Sequence, residues 1–559
     1  MKRASRIVSA LLSTAVLLGG CSSGGSSSGT AASSTASAAS ASAGTVGNTT
    51  TAEADIPAGT SISQDQDVVA AVAVDFTTMD PVDTSDTLSG GIQRLMMDGL
   101  FGFDDDMNLI PMLATDYTAN DDATQYVITL REGITFSDGE AWNAEAAKKN
   151  FDKLTDKDLH LKRTSLLSNV IESTEVTGEY EITVNLSSPF GAFIATLAHP
   201  ACVMEAPSVI DAGLDEAAHN PIGTGQYTFG EWVEGDHLTI NLNKDWWGYD
   251  AGLADSDAGF KSITFRPVSE AATRVSMLQA GDADFIWPVP AESYETLAAD
   301  STINAYAEEG IVVYYLTMNT QKEPFTDIRV RQAINYAIDK DAYISVVMHG
   351  LGSKATSIIA PKVAYYKGND PYEYDPDKAK ELLAEAGYPD GFTVDYYYTT
   401  TTDNQNAAQF IQQQLAAVGI TVNLIGNESA ITNSIIQDET AEPSEAKVDI
   451  YRTGWSPSTG DADWGIRPLL GSESFPPNNY NISYYSNSEL DQYIADGLST
   501  ADSDKRAEAY EKAQDLIWEE VPIAPLANSY NTWATTDKLA GVKIYPDGAI
   551  NIRNARMGA

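Results

Sequence analysis

Two tryptophans, four hydroxyls, two carboxylates and two glycines crowd into Thr453-Gly454-Trp455-Ser456-Pro457-Ser458-Thr459-Gly460-Asp461-Ala462-Asp463-Trp464. Aromatic faces stack, hydroxyls donate and accept, and carboxylates pair with an ammonium, so one irregular stretch of this kind is equipped to hold a small polar solute. The same composition also suits a turn-rich connection whose tryptophans plug a core and whose aspartates cap a helix. The residues alone leave both readings open.

Reaction chemistry finds less support. No phosphate-binding G-x-x-x-x-G-K-[ST] occurs, and Gly223-Thr224-Gly225 runs into Gln226-Tyr227 without the third glycine of a dinucleotide fingerprint. G-x-S-x-G matches at Gly20–Gly24 and Gly25–Gly29, but both lack the strand and helix that a nucleophile elbow needs. His160, His199, His219, His237 and His349 show no pair at helical ligand spacing, so no metal site is expected. Asp104-Asp105-Asp106 and Asp255-Ser256-Asp257 depart from calcium-loop spacing after the first positions and read as solvated turns. Paired acids such as Glu519-Glu520 are the material for a secreted hydrolase, yet adjacency says nothing about the separation such chemistry requires. The expectation is a chain that is not an enzyme and carries no cofactor.

Cys21 stands out for a different reason. Lys2, Arg3 and Arg6 precede an apolar run from Ile7 to Leu18, followed by Gly19-Gly20-Cys21. This is the layout of a secretory leader, too short to span a bilayer, which needs roughly 20 apolar residues. A cysteine directly after small residues resembles the bacterial lipobox, so residues 1–20 are expected to be removed and Cys21 to carry lipid. From Ser22 to Ala52 there is no charge and no aromatic, a composition that cannot offset the entropy of ordering and reads as a tether over residues 21–65. The body would then sit outside the plasma membrane, in a periplasm if an outer membrane is present. Cys202, left alone, has no partner for an internal disulfide and reads as a small apolar core residue.

The formal charge of −45, from 34 Lys plus Arg against 79 Asp plus Glu, argues against nucleic acid and anionic lipid as partners, since both need a basic footprint. Roughly 490 residues remain for the body, enough for two to three domains. Its first third reads as strands: Val68–Val74, Tyr126–Leu130 and Tyr180–Leu186, with a short amphipathic helix between the last two that starts at the cap Asn143. Its second half alternates. Asp327 and Asp375 each open a helix with an apolar stripe, and Gly387 stops the second. Phe410, Ile411, Leu415 and Val418 line a third, which ends at Gly419 before the alternating strand Ile420–Leu424; Arg506–Trp518 forms another helix. Helix, glycine, strand is the order that α/β layers require.

Several blocks of residues, taken in order, resemble the extracytoplasmic solute-binding proteins of peptide- and nickel-type ABC importers (family 5, cluster C). They are Met79-Asp80-Pro81, Asp86-Thr87-Leu88-Ser89, Gly99-Leu100-Phe101-Gly102, Leu130–Gly139, His160-Leu161-Lys162-Arg163, Pro221–Tyr227, Thr273-Arg274, Met277-Leu278-Gln279, Met318-Asn319, Asp327–Asp339, Ala386–Pro389, Gly454-Trp455-Ser456 and Tyr484–Asn487. Within the family, His160–Arg163 and Ser456–Trp464 are similar to its glutathione-binding branch. The resemblance implies an α/β, type II periplasmic-binding-protein fold with two hinged lobes. Lobe I would comprise 66–97, 222–312 and 525–559, with an extra subdomain inserted at 98–221, and lobe II would comprise 313–524. It also implies a monomer that captures a small glutathione-like peptide unchanged and presents it to an ABC permease and its ATPase. Ser85, Asp86, Thr87, Ser89 and Arg94 would face the ligand from lobe I, with Lys162 and Arg163 meeting its carboxylates. Trp455, Ser456, Ser458, Thr459, Asp461, Asp463 and Trp464 would face it from lobe II. Di- and oligopeptide-binding relatives carry an acid where Ser458 stands, so Asp461 or Asp463 would take the amino group here. A general peptide binder, a nickel-chelate binder and a receptor that passes peptide signals to a sensor are the alternatives.

Overall fold

The computed structural model describes residues 62–438 and 442–558. The expected leader, Cys21 and all but the end of the expected tether lie outside them. Among the described residues no helix is long and apolar enough to cross a membrane.

One eleven-stranded sheet runs through the whole body. From the lobe II edge its order is Thr421–Asn427, Thr393–Thr399, Ile450–Trp455, Ile303–Met318, Ile523–Thr536, Phe285–Trp287, Asp67–Val72, Ser262–Pro267, His237–Leu242 and Tyr227–Val233, with Gly352–Lys354 paired to Ile523–Thr536 off this path. Two strands belong to both lobes. Ile303–Met318 and Ile523–Thr536 pair antiparallel from Ile303 opposite Thr536 to Thr317 opposite Ile523, and the register slips between Glu309 and Val313 and again between Tyr314 and Tyr315. The second slip falls where Tyr315 faces Pro525, whose nitrogen has no hydrogen to give the ladder. These paired strands are the hinge of a two-lobed α/β fold.

The inserted subdomain has its own antiparallel sheet, ordered Ala114–Ala119, Gln125–Leu130, Glu181–Leu186, Ile171–Gly178. The helix Ala144–Thr155 begins as its sequence requires, with the Asn143 side chain accepting from Ala146 N. In lobe II, Ile328–Ala337, Pro376–Glu385 and Thr402–Ala416 are capped by Asp327, Asp375 and Thr401. The expected strand at 68–74 is Asp67–Val72, and the expected helix at 506–518 extends over Ser503–Glu520.

Core packing departs from a simple division into lobes. Lobe I and lobe II each have a buried cluster, around Val72, Ile92 and Phe265 and around Ile334, Tyr396 and Ile411. A third cluster joins Tyr126, Trp142 and Phe193 of the inserted subdomain to Ile311 and Val313 of the hinge and to Ile359, Ile466 and Tyr510 of lobe II. Each large side chain so buried contributes about 1.5–3 kcal/mol, so the insertion, topologically part of lobe I, is held energetically by lobe II as well. Gly191 N donates to Leu498 O across this contact at 2.8 Å, and a Cβ at Gly191 would collide with the Thr500 carbonyl.

Candidate functional site

The two stretches expected to face a ligand flank one short segment of the hinge. Ile311 N donates to Pro546 O at 2.9 Å, and in the same loop a Cβ on Gly548 would stand 3.3 Å from Thr87 Cγ2. Two residues beyond Ile311, Val313 is the register partner of Trp455. At roughly 3.3 Å of rise per residue, the Thr87 side and the Trp455 side meet the strand within about two residues of each other.

On the lobe I side, Asp86 is a helix cap. Its carboxylate accepts from Ser89 N at 2.8 Å and from Thr77 Oγ1 at 2.8 Å, and opens the helix Thr87–Met96. Ser89 is fully buried, with its hydroxyl accepting from Thr77 N. Arg94 forms a 2.5 Å ion pair with Asp547. Asp86, Ser89 and Arg94 are thus tied into the framework of this rim. Ser85 and Thr87 are exposed on the rim. Lys162 Nζ donates to Asp83 O at 2.8 Å, and Arg163 donates to Thr84 O at 2.8 Å and to Ser85 O at 3.2 Å. These two cations brace the rim through its carbonyls. Below it lies a buried triad: Lys153 pairs with Asp80 at 3.0 Å and Glu205 at 2.5 Å, and Asp80 accepts from Val82 N. Burial pushes the Glu205 carboxyl up, against the pull of Lys153.

On the lobe II side, Thr453–Trp464 is less of a loop than its composition suggests. Strand Ile450–Trp455 enters it and helix Ala462–Leu470 begins after six irregular residues, with Asp461 as the cap, accepting from Asp463 N at 2.9 Å. Asp461 also takes a two-pronged pair from Arg506 at 2.8 Å on each oxygen, and Asp463 one from Arg467 at 2.8 and 2.6 Å. With 2% and 1% exposure respectively, both aspartates are buried. Thr459 is buried, its hydroxyl without a partner. Trp455, Ser456, Ser458 and Trp464 are half-buried. Trp455 donates its Nε1–H to Trp464 O at 2.7 Å, and its ring lies 6.1 Å from that of Trp464 and 5.0 Å from that of Tyr480. The three rings form an aromatic shelf.

The sequence reading passed over Arg452. It lies over the Tyr314 ring at 3.9 Å and donates to Tyr343 Oη and Asn404 Oδ1, both at 2.9 Å. Among the described residues no carboxylate is within ion-pair distance of it. Three residues from Trp455 along one strand, it lies on the opposite face of the sheet, packed beside the lobe II core of Tyr343 and Tyr396, so it braces that core and does not face the shelf. Nucleophilic chemistry is not prepared here: the Cys202 thiol is buried and pushed up to about 12, and burial, with Arg163 and Arg94 nearby, holds His199 neutral, down to about 3.

Residues 108–476 match the profile of the bacterial extracellular solute-binding proteins, family 5 (middle). Over 491 residues the chain is 38% identical to the glutathione-binding protein GsiB of Salmonella typhi, covering 88% of this chain and 94% of that one. Among solved structures, HbpA2 from Haemophilus parasuis superposes with a TM-score of 0.79 at 24% identity, covering 88% of this chain and all of that one. The periplasmic binding protein DppA from Helicobacter pylori, in complex with the peptide STSA, superposes with a TM-score of 0.72 at 26% identity, covering 89% of this chain and 99% of that one.

Proposed function

Because the chain belongs to the bacterial extracellular solute-binding proteins of family 5, we propose that it is a lipid-anchored receptor that captures glutathione or a similar small peptide by hinge closure and delivers it to an ABC permease. Lobe I would be 66–97, 222–312 and 525–559, the insertion 98–221, and lobe II 313–524, with Cys21 as the anchor. The observation that carries this reading is the meeting of two unlike surfaces at one hinge segment, exposed Ser85 and Thr87 on one side and the Trp455 shelf on the other.

A solute touching both surfaces is bound more tightly when they approach, so its binding energy is differential between open and closed forms and shifts the population toward closure. Ser456 and Ser458 offer hydroxyls, and the rings cover the apolar part of the solute. Resemblance to GsiB, described as glutathione-binding, and Ser458 in the place of an acid favour a γ-linked peptide over ordinary ones. Titration calorimetry of the soluble body with glutathione, γ-glutamyl peptides, α-linked di- to pentapeptides and nickel chelates tests this. Binding of glutathione with its covalent structure unchanged on recovery is expected. Binding of α-linked peptides alone would remove the glutathione assignment, and binding of a nickel chelate alone would replace it.

A further inference from the structure

The carboxylates expected to meet an amino group, Asp461 and Asp463, are held by arginines, which leaves the question of what receives a solute's ammonium. A cavity of about 460 Å³ lies beside the hinge, lined by Asp105 and Asp106 of the hairpin loop between the paired strands Phe101–Phe103 and Leu109–Pro111, Glu308 and Glu309 of the hinge strand, Lys362 of lobe II and Lys543 of lobe I. It adjoins the turn after Trp455. Ala364, two residues from Lys362, bridges to Asp461, and a Cβ on Gly460 would stand 2.9 Å from Phe103 and 3.3 Å from Met107, which flank the same hairpin loop.

Its acids are unequally occupied. Asp105 pairs with Lys543 at 2.6 Å and accepts from Asn551 at 2.8 Å, Asp106 pairs with Lys362 at 3.1 Å, and Glu309 accepts from Ser353 Oγ at 2.8 Å. Glu308 is half-buried, lines the cavity, and has no ion pair or side-chain hydrogen bond among the described residues. Burial pushes its carboxyl up while Lys362 and Lys543 pull it down, so its charge is under-compensated and a cation placed against it would relieve the penalty. The volume lies within the roughly 300–1,000 Å³ usual for small-molecule sites.

We propose that Glu308 receives the protonated amine of the solute while Lys362 meets a carboxylate on the same carbon, so that the cavity selects an amino-acid head group over a lone ammonium. This rests on the reading of the cleft as a small-peptide site. A γ-linked peptide presents that head group; an α-linked one presents an ammonium beside an amide.

Calorimetry with wild type, Glu308→Gln and Glu308→Asp, using glutathione and its desamino analogue glutaryl-cysteinylglycine, tests the assignment. Glu308→Gln should weaken glutathione about tenfold or more, the usual worth of a charge-assisted contact. It should leave the desamino analogue unchanged, and Glu308→Asp should recover part of the loss. Thermal midpoints within a degree or two of wild type exclude unfolding as the cause. Equal affinity of wild type and Glu308→Gln for glutathione, or an equal loss for both ligands, overturns the proposal alone. Wild type that binds neither glutathione nor any other peptide removes the peptide reading itself, and this assignment with it.

Discussion

Asp461 and Arg506 are 45 positions apart and meet with 2% and 4% side-chain exposure. Two buried charges in two-pronged contact are costly to separate: leaving either alone destabilises by about 3–5 kcal/mol. Arg506→Met is therefore expected to lower the urea midpoint sharply. Arg452 has no acid within ion-pair distance among the described residues, and it holds the lobe II core through the Tyr314 ring and hydrogen bonds to Tyr343 and Asn404. Arg452→Gln should lower the urea midpoint less than Arg506→Met does and leave solute affinity by calorimetry unchanged. His199 gives a pH signature. Its imidazole is neutral in the folded protein down to about pH 3 and is free to take a proton in the unfolded chain below about 6.5. In that window the unfolded state binds more protons, so stability falls as pH falls, by up to about 1.4 kcal/mol per unit. The raised Glu205 carboxyl works in the opposite sense over much of this range, so the His199 slope should appear in the difference between wild type and His199→Asn in urea unfolding from pH 4 to 7. Of these residues, the sequence showed Trp455 and the hydroxyls beside it, because they crowd into one stretch. It did not show that Asp461 is spoken for, because Arg506 is recognisable only once it is brought across; the Asp463–Arg467 pair is local, four residues apart, and shows only once 462–470 is known to be a helix.

Helices and strands were legible where local chemistry dictates them. Asn143, Asp327 and Asp375 cap the helices they were expected to cap, because a short polar side chain before an apolar stripe satisfies the first orphan N–H groups whatever the surroundings. The Thr453–Trp464 stretch was read as irregular and is so over 456–461, between the end of a strand and the start of a helix; glycines and hydroxyls mask the strand, whose pairing with the hinge is decided by residues some 140 positions away. The contact of the 189–192 turn with lobe II had no local signal either. Gly191 looks like any turn glycine, yet only a residue without Cβ fits beneath the Thr500 carbonyl. Gly191→Val is expected to hold the lobes apart. Solute affinity should fall although no solute-facing group changes, and small-angle scattering should report a larger radius of gyration for the variant under saturating solute than for wild type.

At the scale of the whole molecule, binding and folding are coupled. A solute that engages only the folded, closed form stabilises it by about 2.7 kcal/mol at a hundredfold excess over Kd, so glutathione should raise the thermal midpoint and α-linked peptides should do so less. The two-lobed architecture was readable from the order of family-like blocks. The distribution of its apolar core was not, because a cluster shared between the insertion and lobe II depends on how the hinge brings them together. That sharing constrains engineering. Expressed by itself, the 98–221 piece would present the greasy flank that Tyr126 and Phe193 normally turn toward Ile466 and Tyr510, and would be prone to aggregate. A chimera that borrows the insertion from a relative would have to import the matching patch of the opposite half too, so in evolution the two surfaces should change together.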